Sequence, residues 1–174
     1  MNYIIEEKDA FDVFGIETVA SLSGAEGSTS PAELWQRSHQ NGDYERLLNA
    51  SGDLPKFVSQ NLCKVHGVEN YRKTEGDTFP YMLCSFVSDS SKTEGYKVQH
   101  IPAQTYAIFP SEKFKWDEDF SKILGELQKE FHSEWLPTAN YERVDGANFE
   151  IYGGDTEHGY IELWFPVKQI NIAK

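Results

Sequence analysis

Ala147-Asn-Phe-Glu-Ile-Tyr-Gly-Gly-Asp-Thr-Glu-His-Gly-Tyr-Ile-Glu-Leu-Trp-Phe-Pro-Val-Lys168 is the stretch from which the rest of this chain can be read. It has the form of two strands joined by a polar loop that contains glycines. Each strand carries one carboxylate among apolar and aromatic residues: Glu150 within Asn148–Tyr152, and Glu162 within Tyr160–Phe165. Side chains alternate faces along a strand. Glu150 and Tyr152 therefore share one face, with Phe149 and Ile151 on the other. In the second strand Tyr160, Glu162 and Trp164 oppose Ile161, Leu163 and Phe165. A hairpin closing around Gly153–Gly159 brings Glu150 beside Glu162 and Tyr152 beside Tyr160. The resulting face of carboxylates and rings is unusual for a core and too aromatic for an ordinary wet surface. It reads as the wall of a binding pocket.

Outward from the hairpin, Trp116 to Trp135 is the clearest helix. Phe120, Ile123, Leu124, Leu127, Phe131 and Trp135 recur at helical spacing. Asp117, Glu118 and Asp119 fall in its first turn, where the helix dipole favours acids, and Pro137 ends it. Tyr96–Phe109 is a long extended segment interrupted by Pro102. Phe79–Val87 is a strong strand and Cys63–Glu69 a short one. Ser30 and Pro31 start a helix that runs to about His39, with serine as cap and proline at the first position. Asn41-Gly42 punctuates it, and Asp43–Asn49 is a second helical piece. Tyr3–Glu6 and Phe11–Ala20 are strands. The order strand, helix, strand, strand thus occurs twice, over Phe11–Val87 and Thr105–Val167, and Tyr81–Val87 has a pattern like that of Tyr160–Val167. The expectation is an α+β fold: a duplicated βαββ unit with a pseudo-two-fold, an antiparallel sheet, two main helices and a ligand cleft between the halves. One domain is expected over 1–174, with pseudo-repeats at approximately 1–90 and 95–174.

Composition narrows the function. The chain has 174 residues and a formal net charge of −12. That balance argues against direct nucleic-acid binding, which rests on Lys and Arg neutralising phosphates. It suits a cationic ligand or solubility. An acidic N-terminus without a long apolar run is not a signal peptide, and no stretch approaches the length of a membrane helix. Cys63 and Cys84 lack CxxC spacing and read as reduced thiols, so a cytoplasmic location is expected. His39, His66, His100, His132 and His158 show no metal-binding spacing, so neither a metal nor another cofactor is expected. Gly153-Gly154 is a turn rather than a nucleotide loop. No nucleophile elbow is present, so covalent catalysis has no support.

Four segments in order carry a family resemblance: Glu33-Leu-Trp-Gln-Arg37, Ile101-Pro-Ala-Gln-Thr-Tyr-Ala-Ile-Phe-Pro110, Ser133-Glu-Trp-Leu-Pro137, and Phe149-Glu-Ile-Tyr152 with Tyr160-Ile-Glu-Leu-Trp-Phe-Pro-Val167. Together they span nearly the whole chain, which resembles a stand-alone GyrI-like small-molecule-binding domain, the AraC-type or bacterial transcription-activator effector-binding domain. The resemblance implies a duplicated βαββ fold with a cleft between the halves. It also implies a cleft glutamate that meets cationic, lipophilic drugs, and this role passes to Glu150. Some such bacterial proteins are effector domains of regulators. Others sequester drugs or modulate gyrase, and some hydrolyse cyclopropane-bearing alkylating compounds. This chain differs from the regulators in lacking a DNA-binding module.

The leading expectation is a protein that binds an amphipathic or cationic small molecule, rather than an enzyme. Glu150 is the charge partner, and Tyr152, Tyr106, Trp164, Trp35, Tyr81 and Trp135 are candidate rings for stacking or cation–π contact. Core packing is the commoner fate of aromatics, and the helix periodicity assigns Phe120 and Phe131 to the core. Glu162 is a further ligand-binding candidate. If Glu150 and Glu162 lie side by side they could serve as an acid/base pair, although like charges in contact destabilise each other. The alternatives are a cofactor-independent hydrolase in which Glu150 activates water, and a partner protein of gyrase or of a separate regulator.

Overall fold

The computed structural model describes residues 1–171; the last three residues of the second expected half lie outside them. The strands are β1 Ile4–Lys8, β2 Phe11–Ser21, β3 His66–Glu69, β4 Thr78–Phe86, β5 Lys97–Ile101, β6 Gln104–Pro110, β7 Phe114–Lys115, β8 Tyr141–Arg143, β9 Asn148–Gly154 and β10 His158–Gln169. The helices are α1 Pro31–Asn41, α2 Asp43–Ala50 and α3 Phe120–Lys129. The main sheet has the order β1-β6-β10-β9-β3-β4-β2-β5, and β7 and β8 add to β10. Every pairing is antiparallel.

This order is two-fold symmetric in its elements. β2, β4 and β3 on one side correspond to β6, β10 and β9 on the other, and the halves join where β3 pairs with β9. The outermost strands are exchanged: β1, which precedes β2, pairs with β6, while β5, which precedes β6, pairs with β2. Each half is therefore closed by a strand that comes before the other half's first strand.

The helices form where the local signals place them. The Ser30 side chain accepts the Glu33 amide at 3.2 Å, Pro31 opens α1, and Gly42 at φ 85° ends it and leads into α2. The long second helix differs from its expected outline. α3 begins at Phe120, capped by the Asp119 side chain, so Asp117 and Glu118 precede the helix instead of filling its first turn. Past Lys129 the helix widens into a π-helical turn, Glu130–Trp135, and then a short 3-10 turn, Leu136–Thr138. In this wider turn Phe131 stacks on Phe165 with ring centres 3.8 Å apart, and Trp135 reaches Phe109.

The helices cover one face of the sheet in two clusters. Phe14, Leu34, Leu47, Tyr81 and Leu83 pack under α1 and α2, while Phe109, Leu127, Phe131, Leu163 and Phe165 pack under α3. The opposite face holds a third cluster, with Phe11, Met82, Phe149, Tyr106 and Trp164 among its members.

Candidate functional site

The closing hairpin turns one residue differently from the expected closure. Asp155 accepts the amides of Glu157 and His158 on one carboxylate oxygen, at 2.9 and 2.8 Å, and its own amide donates to the His158 carbonyl. These bonds fix a two-residue turn at Thr156-Glu157. Gly154, at φ 125°, lets the strands close, since a Cβ there would lie 2.2 Å from the His158 carbonyl oxygen. The register is then Leu163 opposite Glu150, Ile161 opposite Tyr152 and Glu162 opposite Ile151. A shift of one residue moves every side chain of a strand to the other face. Glu150 and Glu162 consequently lie on opposite sides of the sheet, and the expected neighbourhoods of Glu150 with Glu162 and of Tyr152 with Tyr160 are corrected.

On the helix side, the gap between the two clusters is a cavity of about 1030 Å³. Drug-sized pockets are typically about 300–1,000 Å³. Its lining includes Trp35 of α1, Tyr44 of α2, Tyr81 of β4, Glu69 of β3, Glu150 and Tyr152 of β9, Leu163 of β10, and Phe120, Leu124 and Gln128 of α3. Trp116, Glu118 and Asp119 add to it from the segment before α3. Among the described residues no lysine or arginine lines it.

Glu150 is held by hydroxyl groups. Tyr152 Oη donates to Glu150 Oε2 at 3.1 Å. Trp35 Nε1–H donates to Tyr81 Oη at 2.7 Å, which leaves the Tyr81 hydroxyl proton for the Glu150 carboxylate. Gly67, directly opposite Glu150, makes room for this contact: a Cβ there would come within 2.3 Å of Tyr81 Oη and 3.1 Å of Glu150 Oε1. Burial pushes the Glu150 carboxyl above its ordinary range, and the two tyrosine hydroxyls oppose that shift. The carboxylate has hydrogen-bond donors around it but no counter-charge among the described residues.

Tyr152 is positioned from behind the sheet. Its amide donates to His66 Nδ1 at 3.1 Å, which places the imidazole proton on Nε2. His66 is fully buried, its Nε2 has no hydrogen-bond partner among the described residues, and burial pushes its pKa down to about 3. The Trp35 ring packs edge-on to Tyr152 with centres 5.6 Å apart, and Trp35 also packs against Tyr44 and His39. This aromatic wall continues across the cavity through Trp116 and Phe120, whose ring centres are 6.0 Å apart.

The cavity thus brings together Glu150, Tyr152, Trp35 and Tyr81 of the expected residues. Tyr106 and Trp164 lie on the opposite face in the third cluster, with ring centres 5.8 Å apart. Glu162 also faces that way, accepting Trp164 Nε1–H at 3.1 Å, while Lys8 Nζ sits 4.3 Å from the centre of the Trp164 ring. Trp135 is buried among Tyr3, Phe109, Phe131 and Tyr141, away from the cavity. Several lining residues went unassigned in the sequence, Glu69, Trp116 and Phe120 among them. Glu69 ends a short strand, and only the sheet register brings it to the cavity. Trp116 read as a helix start. Phe120 is at a core-facing helical spacing, yet it also borders the cavity.

A family model described as "Integron-associated effector binding protein" matches residues 4–167. The chain is 35% identical over 169 residues to a protein named DNA gyrase inhibitor from Serratia proteamaculans (strain 568), covering 94% of each chain. Among solved structures it resembles SAV2435 bound to tetraphenylphosphonium, with TM-score 0.70, 21% identity, and 97% and 94% of the two chains covered. It also resembles a bacterial transcription regulation protein from Staphylococcus aureus, with TM-score 0.69, 20% identity, and 97% and 99% covered. The family match runs from β1 to near the end of β10, and the chain belongs to the integron-associated effector binding proteins, within the GyrI-like effector-binding group.

Proposed function

We propose that this protein binds lipophilic monovalent or multivalent organic cations in the cavity between its halves, with Glu150 as the counter-charge. The observation that carries this reading is a tyrosine-held carboxylate in an aromatic cavity that no described lysine or arginine lines. Desolvation of an apolar ligand supplies affinity without direction, and the carboxylate supplies the preference for positive charge. A cation over a tryptophan or tyrosine face adds about 0.5–2 kcal/mol. The structural relative's tetraphenylphosphonium is a ligand of this chemistry. Glu150→Gln keeps the shape and removes the charge. Calorimetry with tetraphenylphosphonium and with neutral triphenylphosphine oxide is the test. The variant is expected to lose about tenfold or more for the cation and little for the neutral compound; equal losses overturn the counter-charge role. Mass spectrometry of ligands after incubation separates binding from hydrolysis, since a ring-opened product gains the mass of one water.

A second reading rests on the name of the Serratia relative, DNA gyrase inhibitor. Here the protein acts on gyrase directly. A supercoiling assay with purified gyrase tests it, and unchanged supercoiling at micromolar protein removes it.

A further inference from the structure

Glu150 is not alone in the cavity. Val68 and Phe149 are directly opposite each other where the two halves join, and Glu69 and Glu150 each follow one of this pair. The two glutamates are therefore equivalent about the axis that relates the halves, and both face the cavity. They are diagonal neighbours across adjacent strands, a relation that sets Cβ atoms roughly 7 Å apart. Glu69 has its own surroundings. Asn148, directly opposite, hydrogen-bonds to its carboxylate, and the Arg143 charge acts on it from β8. Burial first, then the Glu150 charge, pushes its carboxyl up to about 7. A ligand with one positive charge satisfies one carboxylate and leaves the other in a partly dehydrated space.

We infer that Glu69 is a second counter-charge and that the cavity selects flat aromatic dications over monocations of the same shape. The inference rests on the cavity being the cation site proposed above. Two anions on one floor match two cations on one rigid body, while the walls of Trp35, Tyr152, Trp116 and Phe120 provide ring faces for the aromatic body. The rim acids Glu118 and Asp119 add a general negative field, whereas Glu69 adds a charge at a defined place.

Methyl viologen and 1-methyl-4-phenylpyridinium make the comparison. Both are flat two-ring cations of nearly one shape, and they carry two charges and one. Calorimetry at about pH 8, where Glu69 is largely ionised, is expected to show wild-type protein binding the dication about tenfold more tightly. In Glu69→Gln the dication should lose its advantage and bind no more tightly than the monocation, and an unchanged circular-dichroism spectrum shows that the variant is folded. Glu126→Gln, an exposed acid of α3 outside the cavity lining, should keep the dication's advantage. Equal affinities in wild type, or an advantage that survives Glu69→Gln, overturns the inference while leaving the monocation site intact. Failure of both probes and of tetraphenylphosphonium to bind removes the cation site itself, and the inference with it.

Discussion

Gly67 occupies a place in the site that a larger residue would close. It faces Glu150 across the β3–β9 pair, and a Cβ at this position would meet the Tyr81 hydroxyl. Gly67→Ala must therefore push Tyr81 off Glu150 or bend the strand. Overpacking of this kind costs about 1–3 kcal/mol. Urea unfolding should show that loss, and tetraphenylphosphonium affinity should fall with it. Gly125 in α3 is the contrast, because a Cβ there would meet nothing within 4 Å. Gly125→Ala should stabilise by about 0.5–1 kcal/mol, the ordinary gain for a helix interior, without altering affinity. Equal effects of the two substitutions would show that Gly67 has no special relation to Tyr81.

At the scale of elements, the hairpin β9–β10 decides which carboxylate faces the helices. Asp155 braces its turn, and its carboxyl is kept below its ordinary range by the His158 and Glu157 amides it accepts. Asp155→Ala leaves those amides without an acceptor. Faster hydrogen exchange at Glu157 and His158 and a lower melting temperature are expected, and Asp155→Asn should restore part of both. Unchanged exchange in the alanine variant would mean that Gly154 and the strand pairing hold the turn by themselves. The π-helical turn after α3 likewise shows pattern yielding to packing. Helical spacing continues through Trp135 in the sequence, but in the fold Phe131 and Trp135 reach Phe165 and Phe109 from the wider turn.

Over the whole molecule, two buried groups give stability an unusual pH dependence. His66 is neutral in the fold, with its pKa pushed down to about 3 from 6.5, so the unfolded chain binds more protons between those values and stability rises with pH there. Glu69 behaves oppositely. Its pKa rises from 4.5 to about 7, so the folded chain binds more protons and stability falls as pH climbs through that window. The two effects oppose one another from about pH 4.5 to 6.5, and the Glu150 and Glu162 carboxyls, also raised by burial, act in the same sense as Glu69. Wild-type protein should lose stability between about pH 6.5 and 8, by on the order of 0.5 kcal/mol. Glu69→Gln should reduce that fall. Denaturant melts across the range check both curves, and an undiminished fall in the variant would trace the effect to the other raised acids of this chain.

The sequence by itself determined the elements. Cap residues, prolines and hydrophobic period are local signals, so α1 at Ser30-Pro31, α2 and the longer strands follow from neighbours along the chain, whereas the short strands β7 and β8 were not expected. It also carried the twice-repeated order from which the symmetric sheet and the groove between halves were expected. Glu150, Tyr152, Trp35 and Tyr81 were legible as residues of one site because each lies on an element facing that groove. Tertiary structure alone decided the face on which each strand residue stands. Strand periodicity has a step of two, and one residue of register, set here by the Asp155 turn, sends Glu162 and Trp164 to the far side. It also decided that Glu69 joins Glu150, because the pairing of β3 with β9 links residues far apart in the chain. No local signal encodes such a pairing; it follows from how two separately patterned halves meet.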